Sequence, residues 1–254
     1  MRKANGEDRM NDMTNAAWSR VDAQMRGPLQ ESVRLMGELF GSALLSATFF
    51  GEVVTGGFDR LRHSVRTILV MQTVELPALR RLAASGPRLG KAGLTAPVIV
   101  THAYVQSSLD TFPLEWLEIQ QQGVTVQGPD HFSSLVVDPC HVRLQCEREL
   151  KRILLGLRQA LLAATGKQRA VSLIEQDALD TALRTMRGML WLKGQREHHA
   201  RENVVQEIEK IVGGRLDGIR AAMDRCGAHD WNEFDRFYAD LERLMEKANE
   251  VVKS

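Results

Sequence analysis

Apolar residues are distributed in two regimes along the chain. Up to Pro139 they fall in short runs separated by glycine and proline; from Arg143 onward there is no proline, and they recur every three or four residues. In the first regime Leu29, Val33, Met36 and Phe40 stand at spacings of four, three and four, which puts them on one face of a helix between Gly27-Pro28 and Gly41. Residues 43–50 are short, apolar and bounded by glycine, as a buried strand is, and residues 67–73 repeat the pattern. Residues 77–83 predict a short helix with Pro77 in its first turn, and Gly86-Pro87, Gly90 and Gly93 mark a loop. Residues 97–100 predict a third strand, with Thr101 capping a helix that runs to Leu109. Residues 114–120, LEWLEIQ, alternate imperfectly and read as a fourth strand, and residues 124–128 read as a hairpin arm or loop strand. Residues 1–27 read as a polar leader with a short helix around 16–25.

The second regime predicts four helices. Leu150, Ile153, Leu154, Leu157 and Leu161 form one stripe, and Leu179, Leu183, Met186 and Leu190 another. Val204, Ile208, Ile211 and Ile219 mark a third helix, weakened at Gly213-Gly214, and Phe234, Phe237, Leu241, Leu244, Ala248 and Val251 mark the last. One apolar face per helix, in sequence, predicts an antiparallel bundle. The organisation expected is therefore a leader at 1–27, a strand-and-helix domain at 28–140 and a helical bundle at 141–254, an α+β chain.

Composition narrows the function classes. A net charge of +1 carries no strong nucleic-acid signal and does not favour a membrane-surface binder. No stretch approaches the roughly 18 apolar residues of a membrane-spanning helix. Three cysteines, Cys140, Cys146 and Cys226, make no CxxC pair, which fits a reducing, cytoplasmic compartment. Cys140, His141 and Cys146 lack a fourth ligand and regular metal spacing, and His198-His199 read as a polar helix end, so no metal ligand is assigned. Trp191, Trp231, Phe234 and Phe237 read as core or helix-interface residues, and Arg148, Lys151, Arg152 and Arg158 as the wet face of an amphipathic helix.

Three segments carry a family resemblance: FFGEVVTGGFDRLRHSVRTILVM, APVIVTHAYVQSSLDTFPLEWLEI and HVRLQCERELKRILLGLRQALL. Together the chain resembles the nucleotidyltransferase superfamily in its small bacterial, kanamycin-nucleotidyltransferase-like form. The resemblance implies an N-terminal mixed-sheet domain and a C-terminal helical bundle. It also implies transfer of a nucleoside monophosphate from a nucleoside triphosphate, with two Mg²⁺ ions held by carboxylates. Family members show a strand ending in Gly-Ser, then a strand opening on Asp-x-Asp or Asp-x-Asn, whose acids share a face because they are two residues apart. Here Gly-Ser becomes Gly51-Glu52, and the aligned pair is Val65 and Thr67, or Ser64 and Arg66 in the neighbouring register. No Asp or Glu lies between Arg60 and Val74. Glu118 stands where the resemblance places the family's third acid; Asp110 and Glu115 beside it read as capping and surface charges.

Arg60, Arg62, His63 and Arg66 form either an anion-binding lip or a solvated loop. The nucleotide-site positions implied by the resemblance are Gly51, Glu52, Arg62, Ser64 and Arg66, with Glu118 as a catalytic relic. The expected function is a catalytically inactive nucleotidyltransferase-fold protein acting as a binding or regulatory module, with a protein or a nucleotide as partner. The alternatives are an active enzyme, which requires Mg²⁺ and a nucleoside triphosphate, recruits Asp59 or Glu52 and acts on a small molecule, protein or RNA, and a structural protein that dimerises through its helical domain.

Overall fold

The structure, a computed structural model, describes residues 15–60, 63–164, 168–196, 200–224 and 231–251. Arg62, His198, His199, Cys226 and most of the polar leader lie outside the described residues. The chain divides into two compact units, one of Met1–Leu109 and Glu118–Val136, the other of Asp110–Leu117 and Val137–Ser254. Among the described residues no helix is long and apolar enough to cross a membrane.

The first unit holds α1 (residues 15–19), α2 (Arg26–Phe40), β1 (Leu44–Phe50), α3 (Glu52–Thr55), β2 (Arg66–Met71), α4 (Leu76–Ala84), α5 (Gly86–Lys91), β3 (Val98–Thr101), α6 (His102–Ser107), the second half of α7 (Pro113–Gln122) and β4 (Val124–Gln127). The sheet runs β3-β2-β1-β4. β1 is antiparallel to β2 and β4, and β2 is parallel to β3, so the sheet is mixed. Alternation along β1 and β2 sorts their side chains. Ala47, Phe49, Leu69 and Met71 join Leu29, Val33, Met36 and Phe40 of α2 in one apolar core. Thr48, Phe50 and Arg66 have the opposite parity, and Phe50 stands directly across from Arg66.

The fourth strand is β4, and residues 114–120 are helical, correcting the expectation for LEWLEIQ. Leu114, Trp116, Leu117, Glu118, Ile119 and Gln122 are all buried. A helix covered nearly all round has no polar face, so its 3.6-residue period does not show. Pro113 opens the helix at a position that needs no amide, and Gly123 closes it, donating to the Ile119 carbonyl at 2.7 Å. The expected loop at 86–93 contains α5, whose Gly86-Pro87 sit in its first turn. Thr101 caps α6 as expected: its Oγ1 accepts from the Tyr104 amide at 3.1 Å.

The second unit holds the first half of α7, then α8 (Pro139–Ala163), α9 (Gln168–Leu192), α10 (Arg201–Val212), α11 (Asp217–Asp224) and α12 (Trp231–Val251). Asp138 caps α8, its Oδ1 accepting from the Cys140 amide at 2.7 Å. The third expected helix is two helices. Gly213 terminates α10 in the left-handed conformation at φ 74°, and α11 starts afresh at Asp217. Asp240 Oδ2 accepts from the Gly218 and Ile219 amides at 2.8 and 3.1 Å and so satisfies the opening turn of α11. Leu161, expected within the first stripe, is exposed, while Leu150, Ile153, Leu154 and Leu157 are buried. Glu115, expected as a surface charge, is half-buried: it accepts from Gln145 Nε2 at 2.8 Å and from Arg184 Nη1 at 3.2 Å.

Candidate functional site

Where β1 ends, Phe50 is followed by Gly51 at φ 83° and ψ −156°, a conformation closed to other residues, and the chain turns into α3. The Gly51 carbonyl accepts from the Val54 and Thr55 amides at 3.0 and 3.1 Å, closing the turn. β2 opens opposite this turn at Arg66. The Arg66 guanidinium carbon lies 4.7 Å from the centroid of the Phe50 ring, a cation–π arrangement. A Cβ at position 51 would lie 2.7 Å from Arg66 Nη2, so a side chain there would displace the guanidinium as well as strain the backbone.

Glu118 reaches the same place from α7. Arg66 Nη2 donates to Glu118 Oε1 at 2.6 Å and Nη1 to Oε2 at 3.0 Å, a bidentate pair between residues 52 apart in sequence. The Glu118 side chain is 4% exposed and that of Arg66 is 27% exposed. A carboxylate this buried needs a cation and its hydrogen bonds, and the planar guanidinium supplies both in one geometry. Ring, glycine turn and carboxylate thus fix Arg66 from three directions.

α7 is tied to the segment after β4. Gln120 Nε2 donates to the carbonyls of Phe132, Ser133 and Leu135 at 3.2, 3.3 and 2.8 Å, and Asp130 Oδ1 accepts from the amides of Phe132 and Ser133. In this segment the His131 ring lies 5.2 Å from that of His102, and its Nε2 is buried with no hydrogen-bond partner. Burial, with His102 alongside, holds the His131 imidazole below its ordinary range.

The structure brings together Gly51, Arg66 and Glu118 from the sequence-predicted set and adds Phe50, whose signal was its place across from Arg66. Glu52 opens α3 and is buried. Ser64 is exposed and joins none of these contacts among the described residues. Val65 and Thr67 are buried, and Val65 belongs to the α2 core, so the parity that faces Glu118 is that of residues 64 and 66. Of the basic run, the described members Arg60 and His63 make contacts of their own. Arg60 Nη2 donates to the Lys91 carbonyl at 2.7 Å, and His63 Nδ1 accepts from the Asp59 amide at 3.0 Å. Elsewhere, Cys140 is exposed whereas Cys146 is buried, its thiol pushed up to about 12 by burial. Among the described residues no group of three or more His, Cys, Asp or Glu side chains is placed to hold a metal ion.

No protein-family model matches the sequence, and no curated protein matches it. In structure the chain is similar to the spectinomycin adenyltransferase AAD(9) from Enterococcus faecialis, whose crystal structure contains ATP and spectinomycin. The two are 8% identical, with 88% of this chain and 98% of that chain covered and a TM-score of 0.58. The likeness over most of both chains shows a nucleotidyltransferase-like α+β fold, a mixed four-stranded sheet followed by a helical C-terminal part.

Proposed function

We propose that this chain is a nucleotidyltransferase-fold protein that transfers no nucleotide and acts as a binding or regulatory module. The observation that carries this reading is the bidentate Arg66–Glu118 pair. Nucleotidyl transfer as the resemblance implies it needs Mg²⁺, which takes hard oxygen ligands, chiefly carboxylates and phosphates. The residues present do not fit that ion. Both Glu118 oxygens are engaged by Arg66, and a guanidinium at the position of a metal-binding aspartate repels a cation instead of ligating it. The internal pair is also neutral, so it offers no net attraction to a triphosphate.

The similarity to an adenyltransferase solved with ATP frames the competing reading, an active enzyme with a divergent site. One assay separates them. The purified chain is incubated with each labelled nucleoside triphosphate and Mg²⁺ or Mn²⁺, and pyrophosphate is measured. No release above the protein-free control is expected. Metal-dependent release that disappears in Glu118→Ala would overturn the proposal. Protein or nucleotide remains the class of partner, and titration calorimetry with ATP in the presence of a chelator tests the second. Binding that survives chelation supports a metal-free nucleotide module; no heat at all favours a protein partner.

A further inference from the structure

The balanced net charge conceals a local excess. Between Asp59 and Asp110 the chain has seven Arg or Lys residues and one acid, Glu75, a net charge of +6 within a whole that carries +1. The structure sets most of these bases in a row. α4 and α5 form the crossover between the parallel strands β2 and β3, and they lead back along the sheet from its Met71 end to its Val65 end, where Val65 bridges to Leu94. Arg80 and Arg81 stand on α4 towards the first end, Arg81 lining a cleft with Met71 and Ile99. Arg88 and Lys91 follow on α5, and the Lys91 carbonyl accepts from Arg60 Nη2 at 2.7 Å, which adds a fifth cation at the second end. The six residues of β2 span ~20 Å and set the length of the row.

All five bases are exposed. Arg88 is shared with Glu31 of α2, whereas the side chains of Arg80, Arg81 and Lys91 meet no carboxylate among the described residues. Between Arg80 and Lys91 only Leu82 and Leu89 are buried, and no large apolar side chain is exposed; Ala83, Ala84, Gly86 and Gly90 separate the bases. A protein partner would need an apolar anchor here, and a bilayer an apolar face to bury, and the row offers neither. A phosphate backbone needs only cations and close approach, which the small residues allow. Arginine adds a fork that matches two phosphate oxygens. A nucleic-acid strand carries one charge per about 3.4 Å, so ~20 Å faces about six phosphates. Tyr104 lies on α6 just past Thr101, which pairs with Met71 at the first end. It is 47% exposed and offers a stacking face to an unpaired base. We propose that the α4–α5 crossover binds the phosphodiester backbone of a single-stranded nucleic acid. The inference stands apart from the Arg66–Glu118 pair and holds whether or not that site is active.

Fluorescence anisotropy of the full chain with labelled oligouridylate and oligodeoxythymidylate tests it. Both should bind with comparable affinity, because backbone contacts do not read the sugar. Four unneutralised cations on a single strand give a log–log salt slope of about −2.8, so affinity should fall about fiftyfold between about 50 and 200 mM salt. Arg80→Gln with Arg81→Gln should halve that slope, and Tyr104→Leu should weaken binding about tenfold. Arg148→Gln with Arg152→Gln, the same loss of charge on α8, should leave the slope unchanged. Far-UV circular dichroism should show all variants folded, since every altered side chain is exposed. Absence of saturable binding at about 50 mM salt overturns the proposal. So does a slope that survives the Arg80 and Arg81 changes, or one that drops equally in the α8 variant. Displacement by polyglutamate as effective as by unlabelled oligonucleotide overturns it in favour of an acidic protein segment, and a preference above about tenfold for either sugar overturns a backbone-only contact.

Discussion

Removing Arg66 should be among the most damaging single changes in the first unit that leave its apolar core untouched. Arg66→Met keeps much of the side-chain length and the contact with Phe50 but leaves Glu118, at 4% exposure, without its two charge-assisted hydrogen bonds. Breaking a buried pair from one side costs about 3–5 kcal/mol. Arg66 keeps 27% of its side-chain surface in solvent, so the lower end, about 3 kcal/mol, is the better figure here. Glu118→Gln should cost less, about 1–2 kcal/mol, because an amide oxygen still accepts from the guanidinium and the freed charge reaches water. Arg66→Met combined with Glu118→Leu should recover most of the loss, since a buried ion pair replaced by apolar groups of similar volume is often neutral. The measurement is a double-mutant cycle, closed by the Glu118→Leu single, by urea denaturation followed by far-UV circular dichroism, with a coupling of about 2 kcal/mol expected. Single losses below about 0.5 kcal/mol, or strict additivity, would refute the reasoning and return Arg66 to the status of a solvated arginine.

Thr67 is buried across from Phe49 with its hydroxyl unpartnered, so Thr67→Val should raise stability by about 1 kcal/mol in the same denaturation assay. Arg220 and the Leu216 amide, which both donate to Glu209, hold its carboxyl at about 2, well below an ordinary glutamate. Its folded value is depressed, so this contribution is whole above about pH 4.5 and lost as pH falls towards 2; acid titration of stability should be flatter across that window in Glu209→Gln. A Cβ on Gly218 would lie 2.2 Å from the Phe237 amide nitrogen, whereas one on Gly188 would meet mainly the movable ends of Leu114 at 2.3 Å and Cys146 at 3.0 Å. Gly218→Ala should therefore cost about 3 kcal/mol or more by forcing α11 off α12, and Gly188→Ala nearer 1 kcal/mol, read as the difference between their unfolding midpoints.

The sequence spoke most clearly where burial is one-sided or an element is bracketed by glycine. β1, β2 and β3 each lie within about two residues of their predicted limits, because a short apolar run between turn residues has few other outcomes. α7 was hidden for the opposite reason: an element covered nearly all round loses the contrast that reveals its period. The break at Gly213 was visible as a weakness, but whether a glycine pair bends or ends a helix depends on what satisfies the next one's amides. Here that is Asp240, 22 residues further on. The site divides the same way. The lack of acid at the start of β2 is local and legible in the sequence. The partnership of Arg66 with Glu118 is not, because it depends on a helix that sequence pattern assigned as a strand and on a strand register with two possible parities.

That partnership changes what the missing acids mean. A carboxylate as buried as that of Glu118 is costly unless charge-assisted hydrogen bonds compensate it. Arginine is the side chain suited to replace the ion, because it stays charged at any ordinary pH and matches a carboxylate in two parallel hydrogen bonds. It also brings a flat face that can rest on Phe50, and a glycine turn leaves room for it. A divalent ion recruited from solvent keeps open positions for phosphate oxygens, whereas a guanidinium satisfied by Glu118 keeps the same carboxylate buried and closed. The contact that holds this end of the sheet together is therefore also the one on which the proposed inactivity rests.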